Sequence, residues 1–219
     1  MLKMRHMTEL WLIRHGESRG NASGTVQGHN DSPLSKLGRR QAAALAERLR
    51  REGHFDAIYS SDLARARQTA RPSAEILRLP LNEIVGLREI DLGLWSGLTH
   101  TEIERRFPDE WAAWKRFDTH VRRGGAESYA DLQARIAAVV EMIIARHPGE
   151  RVILVFHAGA LKSYLAYVLH LPLGEMWRLE IENASISRVR LDTAFIDPTA
   201  VAVGRLLTLN DTCHLDGLQ

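Results

Sequence analysis

The 219-residue chain is short of several things, and each shortage excludes something. It has one cysteine, Cys213, which rules out an intramolecular disulfide and a cysteine-based zinc site and fits a reducing compartment. Cys213 sits in a polar stretch with no motif around it and reads as a bystander rather than a nucleophile. Net charge is nearly absent: Lys plus Arg exceed Asp plus Glu by 29 − 27 = +2. So small a surplus gives no argument for nucleic-acid or membrane partners. Long hydrophobic runs are missing as well. The most apolar stretch, Val152 to Leu173, is interrupted by His157, Lys162 and His170 and reads as a buried strand followed by a helix. The opening "MLKMRHMTEL" holds no apolar core for a signal peptide; Met7 is a second candidate start, because strand-like residues begin just after it. A cytoplasmic location is the expectation. Neither H-E-x-x-H nor a paired-Asp pattern points to a metal centre, and no repeat or low-complexity tract appears.

What is present is an ordinary globular composition, 45% apolar and 26% charged, in a chain long enough for one domain with a sizeable core. "ELWLI" is a short apolar strand, and residues 16–34, rich in Gly, Asn, Ser and Asp, form a long loop of the kind that carries function. Ser35 caps a helix whose Leu37, Ala42, Leu45 and Leu49 share a face and which ends near Gly53. "FDAIYSS" is a second strand; Asp62 is expected to cap a helix that Pro72 interrupts or restarts. "LNEIVGL" is a weaker strand. Within 96–130 a capping box (Thr99, Glu102) opens one helix, and Trp111, Trp114 and Phe117 recur at helical spacing. Core packing is the default for that stripe; a wall over a substrate is the alternative. Ser128 caps a long amphipathic helix that ends near Pro148–Gly149. "RVILVFH" is apolar throughout, as when both faces of a parallel sheet are covered, and "WRLEIENASISRVRL" reads as two strands about a tight turn. A last strand leads into "LLTLNDTCHL". The alternation predicts an α/β fold: a three-layer α/β/α sandwich with a mainly parallel central sheet. It is one domain, 1–219, with 96–130 as an inserted helical cap lobe over the strand carboxyl ends.

Ligands in such sheets lie at the carboxyl ends of strands. His15 ends the first strand and His157 ends "RVILVFH". Small residues, Gly16 and Ala158-Gly159, follow each and let a ligand reach backbone N–H groups. The helix after His157 offers its amino end to an anion, and Arg14 and Arg65 offer guanidinium forks. Together they suit a phosphoryl group, although each alone has a plain structural reading. Arg67 keeps the reading of a solvated helix residue.

"LIRHGES" resembles the signature of the histidine phosphatase superfamily, the phosphoglycerate-mutase-like fold. The likeness continues in family order through Asn21 to Gly38, "SSDLARARQTA", "LREIDLGLWSG", "GGAESYADLQARI", "LVFHAG" and "LNDTCHL". The resemblance implies His15 as nucleophile and Arg14, Arg65 and His157 as holders of the phosphoryl oxygens. It implies Asn21 as a further phosphate contact beside the Gln27-Gly28 turn, and Glu89 as proton donor in preference to Glu83 or Asp91. Glu17 is expected to form an ion pair that orients the arginines. No metal or cofactor is implied. Gly20 stands where relatives often have an aromatic, Thr25 where arginine is frequent, and Phe156 and Ala158 flank the second histidine in place of small polar and glycine residues. These departures bear on substrate shape. Arg122 and Arg123 are expected in a solvated loop, with an approach to an anionic substrate as the alternative. The implied function is a phosphomonoesterase of small phosphorylated metabolites: sugar phosphates, phosphoglycerate derivatives or an α-ribazole-phosphate-like ester. The alternatives are a bisphosphoglycerate-dependent mutase, against which the form "IDLGLWSG" speaks, and a non-catalytic phospho-ligand-binding relative. A homodimer is left open.

Overall fold

The computed structural model describes residues 7–192 and 204–218; residues 1–6, on which the reading of Met7 bears, lie outside them. Six strands form one sheet: β1 (Met7–Arg14), β2 (Ala57–Ser60), β3 (Leu81–Glu83), β4 (Arg151–Phe156), β5 (Ile186–Asp192) and β6 (Gly204–Asp211). Their order is β3-β2-β4-β1-β5-β6. Strands β3, β2, β4 and β1 run parallel; β5 is antiparallel to β1, and β6 to β5. Among the described residues the helices are α1 (Arg19–Ala22), α2 (Lys36–Arg51), α3 (Ala64–Leu77), α4 (His100–Arg106), α5 (Pro108–Lys115), α6 (Tyr129–Arg146) and α7 (Ala158–Val168). None is long and apolar enough to cross a membrane.

Side-chain alternation along the strands gives the sheet two apolar faces. Leu10, Leu12, Val152, Leu154 and Phe156 pack under α6 and α7. Trp11, Ile13, Ile153 and Val155 pack under α2 and α3 through Leu45, Leu49, Ala66 and Ala70. The three-layer α/β/α expectation holds. Ile103 and Trp111, from the 96–130 segment, join the first of these cores, so that segment rests on the sheet's own packing.

Local signals were obeyed where nothing competed with them. Ser35 accepts from Gly38 N–H, and Thr99 with Glu102 and Ser128 with Asp131 form capping boxes. Four expectations need correction. Asp62 does not cap α3: Arg88 takes its carboxylate through Nε at 2.8 Å and a second nitrogen at 2.5 Å, while Asp31 accepts from Ala64 N–H at 2.5 Å. Pro72 does not interrupt α3, because burial of Ala66, Ala70 and Ala74 holds the helix across the lost hydrogen bond. "LNEIVGL" yields only the three residues of β3 before a 3-10 turn at Val85–Leu87. The segment 177–191 is not a pair of strands: a 3-10 helix (Leu173–Arg178) leads to β5 through a strandless connection that turns at residues 183–184. The backbone of 181–185 is spent on the end of β1, with Arg14 donating to the Ile181 carbonyl and Ala184 N–H to the Arg14 carbonyl.

Candidate active site

Register builds the site. β1 and β4 pair with Arg14 opposite Phe156, so the next residues, His15 and His157, leave the sheet side by side, and His15 N–H donates to the Phe156 carbonyl at 2.9 Å. Their ring centroids lie 5.1 Å apart. β2 stops at Ser60, and Ser61 N–H bonds to the Val155 carbonyl, which brings Ser61 beneath His157. All three positions sit at the carboxyl ends of parallel strands, where the loops must turn and backbone groups are unpaired.

His15 is almost wholly buried. Its Nδ1 lies 2.7 Å from the Gly16 carbonyl. A carbonyl can only accept, so Nδ1 carries the proton of the neutral ring and Nε2 keeps a free lone pair. Burial first, then the charges of Arg65 and Arg14, push the His15 pKa well below the usual histidine range. His157 is displaced in the same direction, by burial and then Arg65 and His15. Both rings are therefore neutral at pH 7.

Arg65 is buried and donates in three directions: Nε to His157 Nδ1 at 3.2 Å, and its terminal nitrogens to the Asn30 and Gly28 carbonyls, both at 2.8 Å. The loop 16–34 thus holds the guanidinium, and Gly28, at φ +50°, supplies the left-handed turn that aims its carbonyl. Arg14 donates one bond to the Ile181 carbonyl, but its Nε is buried with no partner, which leaves a donor for an incoming oxygen. Burial lowers the pKa of both arginines; each stays cationic.

His157 differs from expectation in its bonding. Nδ1 accepts from Arg65, so Nε2 carries the proton and donates to Ser61 Oγ at 2.9 Å. A direct bond from His157 to a phosphoryl oxygen requires one of these bonds to be exchanged. Asn21 caps α1 by accepting from Ser18, and its Nδ2 makes no hydrogen bond among the described residues. Gln27 is held by Ser18 Oγ at 2.8 Å and packs over Gly20, where a Cβ would fall 2.5 Å from Gln27 Cδ. The missing aromatic before Asn21 is thus the space that Gln27 occupies.

Glu89 arrives from the turn after β3. Its Oε1 accepts from Ala160 and Ile90 N–H and its Oε2 from Gly159 N–H, each at 3.0 Å, so the carboxylate sits on the amino end of α7 beside His157. Glu83 pairs with Arg67 at the surface and Asp91 lies 3.9 Å from His29; of the three acids, geometry brings Glu89 to the histidines. Glu17 is a correction: it makes no ion pair with either arginine among the described residues, and its Oε1 accepts from Ser35 Oγ at 2.5 Å, bracing the start of α2. A cavity of about 600 Å³ opens beside Arg14, walled by Lys162, Ile181 and Asn183.

Comparison with known proteins gives the family. The family description "Histidine phosphatase superfamily (branch 1)" matches residues 10–200. The chain belongs to the histidine phosphatase superfamily. Within it, the chain is 34% identical over 209 residues to phosphoserine phosphatase 1 of Hydrogenobacter thermophilus, covering 95% of each. It is 35% identical over 214 residues to a Yersinia enterocolitica protein named "Probable phosphoglycerate mutase GpmB", covering 96% of each. Among solved structures, the mycobacterial glucosyl-3-phosphoglycerate phosphatase superposes with a TM-score of 0.84 at 33% identity, covering 94% of this chain and 100% of that one.

Several residues of this histidine phosphatase site escaped the sequence reading. Ser61 lay inside a quoted block but drew no notice. Thr69 accepts from Gly16 N–H at 2.9 Å and donates to the Arg65 carbonyl, tying α3 to the loop after His15. Asn183 donates to the His15 carbonyl at 3.0 Å, and no motif marks it. His29 donates to the Glu89 carbonyl at 2.8 Å. Trp111 and Trp114 stack at 4.5 Å as the stripe predicted, but Phe117 turns out to be 56% exposed, in the left-handed conformation that follows α5. Arg122 is solvated as expected; Arg123, at 1% exposure, is not.

Proposed function

We propose that this chain is a phosphomonoesterase acting on small phosphorylated metabolites through a phosphohistidine on His15. The observation that carries the reading is the tautomer: a buried, neutral imidazole whose Nε2 keeps a free lone pair, set beside a second imidazole and two guanidiniums gathered from three separate segments. His15 Nε2 attacks phosphorus while the ester P–O bond breaks, and Glu89 in its acid form gives its proton to the leaving oxygen. Oε2, with one N–H bond against two on Oε1, has the room for that proton. Water then attacks the phosphohistidine, passing its proton back to Glu89 as the P–N bond breaks and phosphate leaves. Arg14, Arg65 and the Asn21 amide hold the non-bridging oxygens, and the Gln27-Gly28 turn keeps Arg65 in place. No cofactor enters these steps. Residues 96–130 act as the cap over the leaving group, and the unpaired, exposed Cys213 is in keeping with a reducing cytoplasm.

Relatives in sequence include phosphatases and a protein named as a probable phosphoglycerate mutase, and a bisphosphoglycerate-dependent mutase would use the same phosphohistidine. Full loss of p-nitrophenyl phosphate turnover in His15→Ala, with alkali-stable, acid-labile phosphate trapped on the wild-type protein alone, is the expected result. Retention of most turnover refutes the nucleophile. A mutase assay with bisphosphoglycerate, run beside a panel of phosphorylated metabolites, separates the two activities.

A further inference from the structure

Two of the sequence blocks, "LREIDLGLWSG" and "GGAESYADLQARI", meet at the main chain of Glu89. Residues 88–92 belong to no helix or strand, so no ladder takes up their backbone N–H and C=O groups. α6 supplies partners. Arg135 donates from Nη1 to the Gly86 and Arg88 carbonyls at 2.9 and 3.0 Å, and from Nη2 to the Glu89 carbonyl at 3.2 Å. Its Nε and Nη2 also hold the two carboxylate oxygens of Glu127 at 2.9 and 2.7 Å. A guanidinium has five N–H groups in a planar fork, and here an acceptor meets each of them.

Glu127 completes the clamp. Its Oε2 accepts from Asp91 N–H at 3.0 Å, and its own N–H donates to the Asp91 carbonyl at 3.1 Å. The ion pair is partly buried, with side chains 27% and 15% exposed for Arg135 and Glu127. Among the described residues, the side-chain hydrogen bonds left over from the pair all go to the segment 86–91. The Glu89 carboxylate, by contrast, is held by Gly159 and Ala160 N–H at the amino end of α7. Gln133 of α6 donates to the Ser163 carbonyl of α7 at 3.0 Å. One helix thus fixes the main chain of Glu89, the other fixes its carboxylate, and the two helices are tied together. Arg135 makes no hydrogen bond to His15, His157, Arg14 or Arg65 among the described residues; its route to the chemistry runs through Glu89.

We infer that Arg135, with Glu127 as its counter-ion, is the positioning residue for the proton donor: it sets where the Glu89 carboxylate stands relative to the leaving oxygen. The inference rests on the phosphomonoesterase reading, in which Glu89 protonates that oxygen, and adds to it the pair that aims the acid. Proton transfer needs heavy atoms within roughly 2.6–3.2 Å of each other. A displacement of about 1 Å in the main chain that carries Glu89 is therefore enough to cost on the order of 10²-fold. Lysine, a point charge with three N–H groups on a flexible stem, cannot serve the same five acceptors.

The test compares the best alkyl ester of the metabolite panel with p-nitrophenyl phosphate, whose leaving group needs no proton. Arg135→Met is expected to lower kcat on the alkyl ester at least tenfold, with KM changed less than twofold, and to lower kcat on p-nitrophenyl phosphate no more than threefold. In a Glu89→Gln background the same substitution should cost the alkyl ester less than a further twofold, because the acid it aims is gone. A merely structural Arg135 predicts equal fractional losses on both esters and a loss that multiplies that of Glu89→Gln. Either result overturns the inference, and so does an unaltered kcat on the alkyl ester. Should Arg135→Met fail to fold, Arg135→Lys decides: its loss must be at least threefold heavier on the alkyl ester, and equal losses overturn the inference. If Glu89→Gln alone slows both esters alike, the proton-donor reading fails instead. A wild-type protein inert toward every ester, p-nitrophenyl phosphate included, would sink the phosphomonoesterase reading itself.

Discussion

Lowering the pH from 7.0 to 5.5 should destabilise this fold through two particular side chains. In the folded chain His15 and His157 are held neutral by burial and by the arginines, with pKa values well below the ordinary 6.5. In the unfolded chain both titrate near 6.5. A depressed histidine pKa means that between the two values the unfolded state binds protons that the folded state refuses, so stability is full above about pH 6.5 and falls as pH drops below it. A ring that stays neutral in the folded chain over this range contributes a loss of RT ln[(1 + 10^1.0)/(1 + 10^−0.5)], about 1.3 kcal/mol at 25 °C, and the pair about 2.5 kcal/mol. That is a large share of the 5–15 kcal/mol typical of a domain, roughly stated. The assay is urea unfolding at both pH values in phosphate-free buffer, for the wild type and for His15→Asn/His157→Asn. The double variant, whatever its absolute stability, should lose about 2.5 kcal/mol less than the wild type on acidification. An identical loss in both proteins refutes the claim that these rings are buried neutral, and with it the argument for a free Nε2 lone pair at pH 7.

Two further substitutions follow from the same geometry. Glu89→Gln should slow alkyl phosphate esters roughly 10²–10⁴-fold while slowing p-nitrophenyl phosphate, whose leaving group needs no proton, far less; steady-state kinetics on both esters checks this, and equal losses count against proton donation. Gly159→Ala would set a methyl 2.6 Å from Glu89 Oε1 and 3.3 Å from Tyr129 Cε1, so it should lower kcat on alkyl esters at least tenfold by displacing the acid. Its melting temperature should change by no more than a few degrees; unaltered kcat would show that the carboxylate can move without consequence.

How much of this was written plainly in the sequence differs from element to element. Strands β1, β2 and β4 and the helix caps at Ser35, Thr99 and Ser128 were legible because apolar patterning and Ser/Thr caps act locally. His15, His157 and Glu89 were legible as a set only through the order of the motif blocks. Nothing local distinguishes Glu89 from Glu83; what distinguishes it is the amino end of α7, some 70 residues later in the chain. Asp62 and Asp31 exchanged roles for a similar reason: Arg88 and the loop 16–34 are brought to them by tertiary structure, and a carboxylate goes to whichever donor arrives. The hairpin expected at 177–191 failed because its backbone is consumed in gripping Arg14 and His15. Arg123 was misjudged because a Gly-rich, charged stretch normally faces water, and no spacing rule says that one arginine of a pair will turn inward over a tyrosine.

The two arginines explain why one pocket can be cationic and still hold a neutral imidazole. A positive field lowers the proton affinity of any nearby imidazole, so Arg14 and Arg65 free the His15 lone pair by the same interaction with which they would attract a phosphoryl dianion. Burial strengthens both effects, since the charges act through a medium poorer in water. It also explains why Arg65 is fixed by two loop carbonyls and an imidazole rather than by a carboxylate. Neutral acceptors orient the guanidinium without cancelling its charge, whereas an ion pair would hold it equally well and leave less field for the substrate. Glu89, whose charge acts on both, is itself tied to backbone N–H groups of α7 instead of to either arginine.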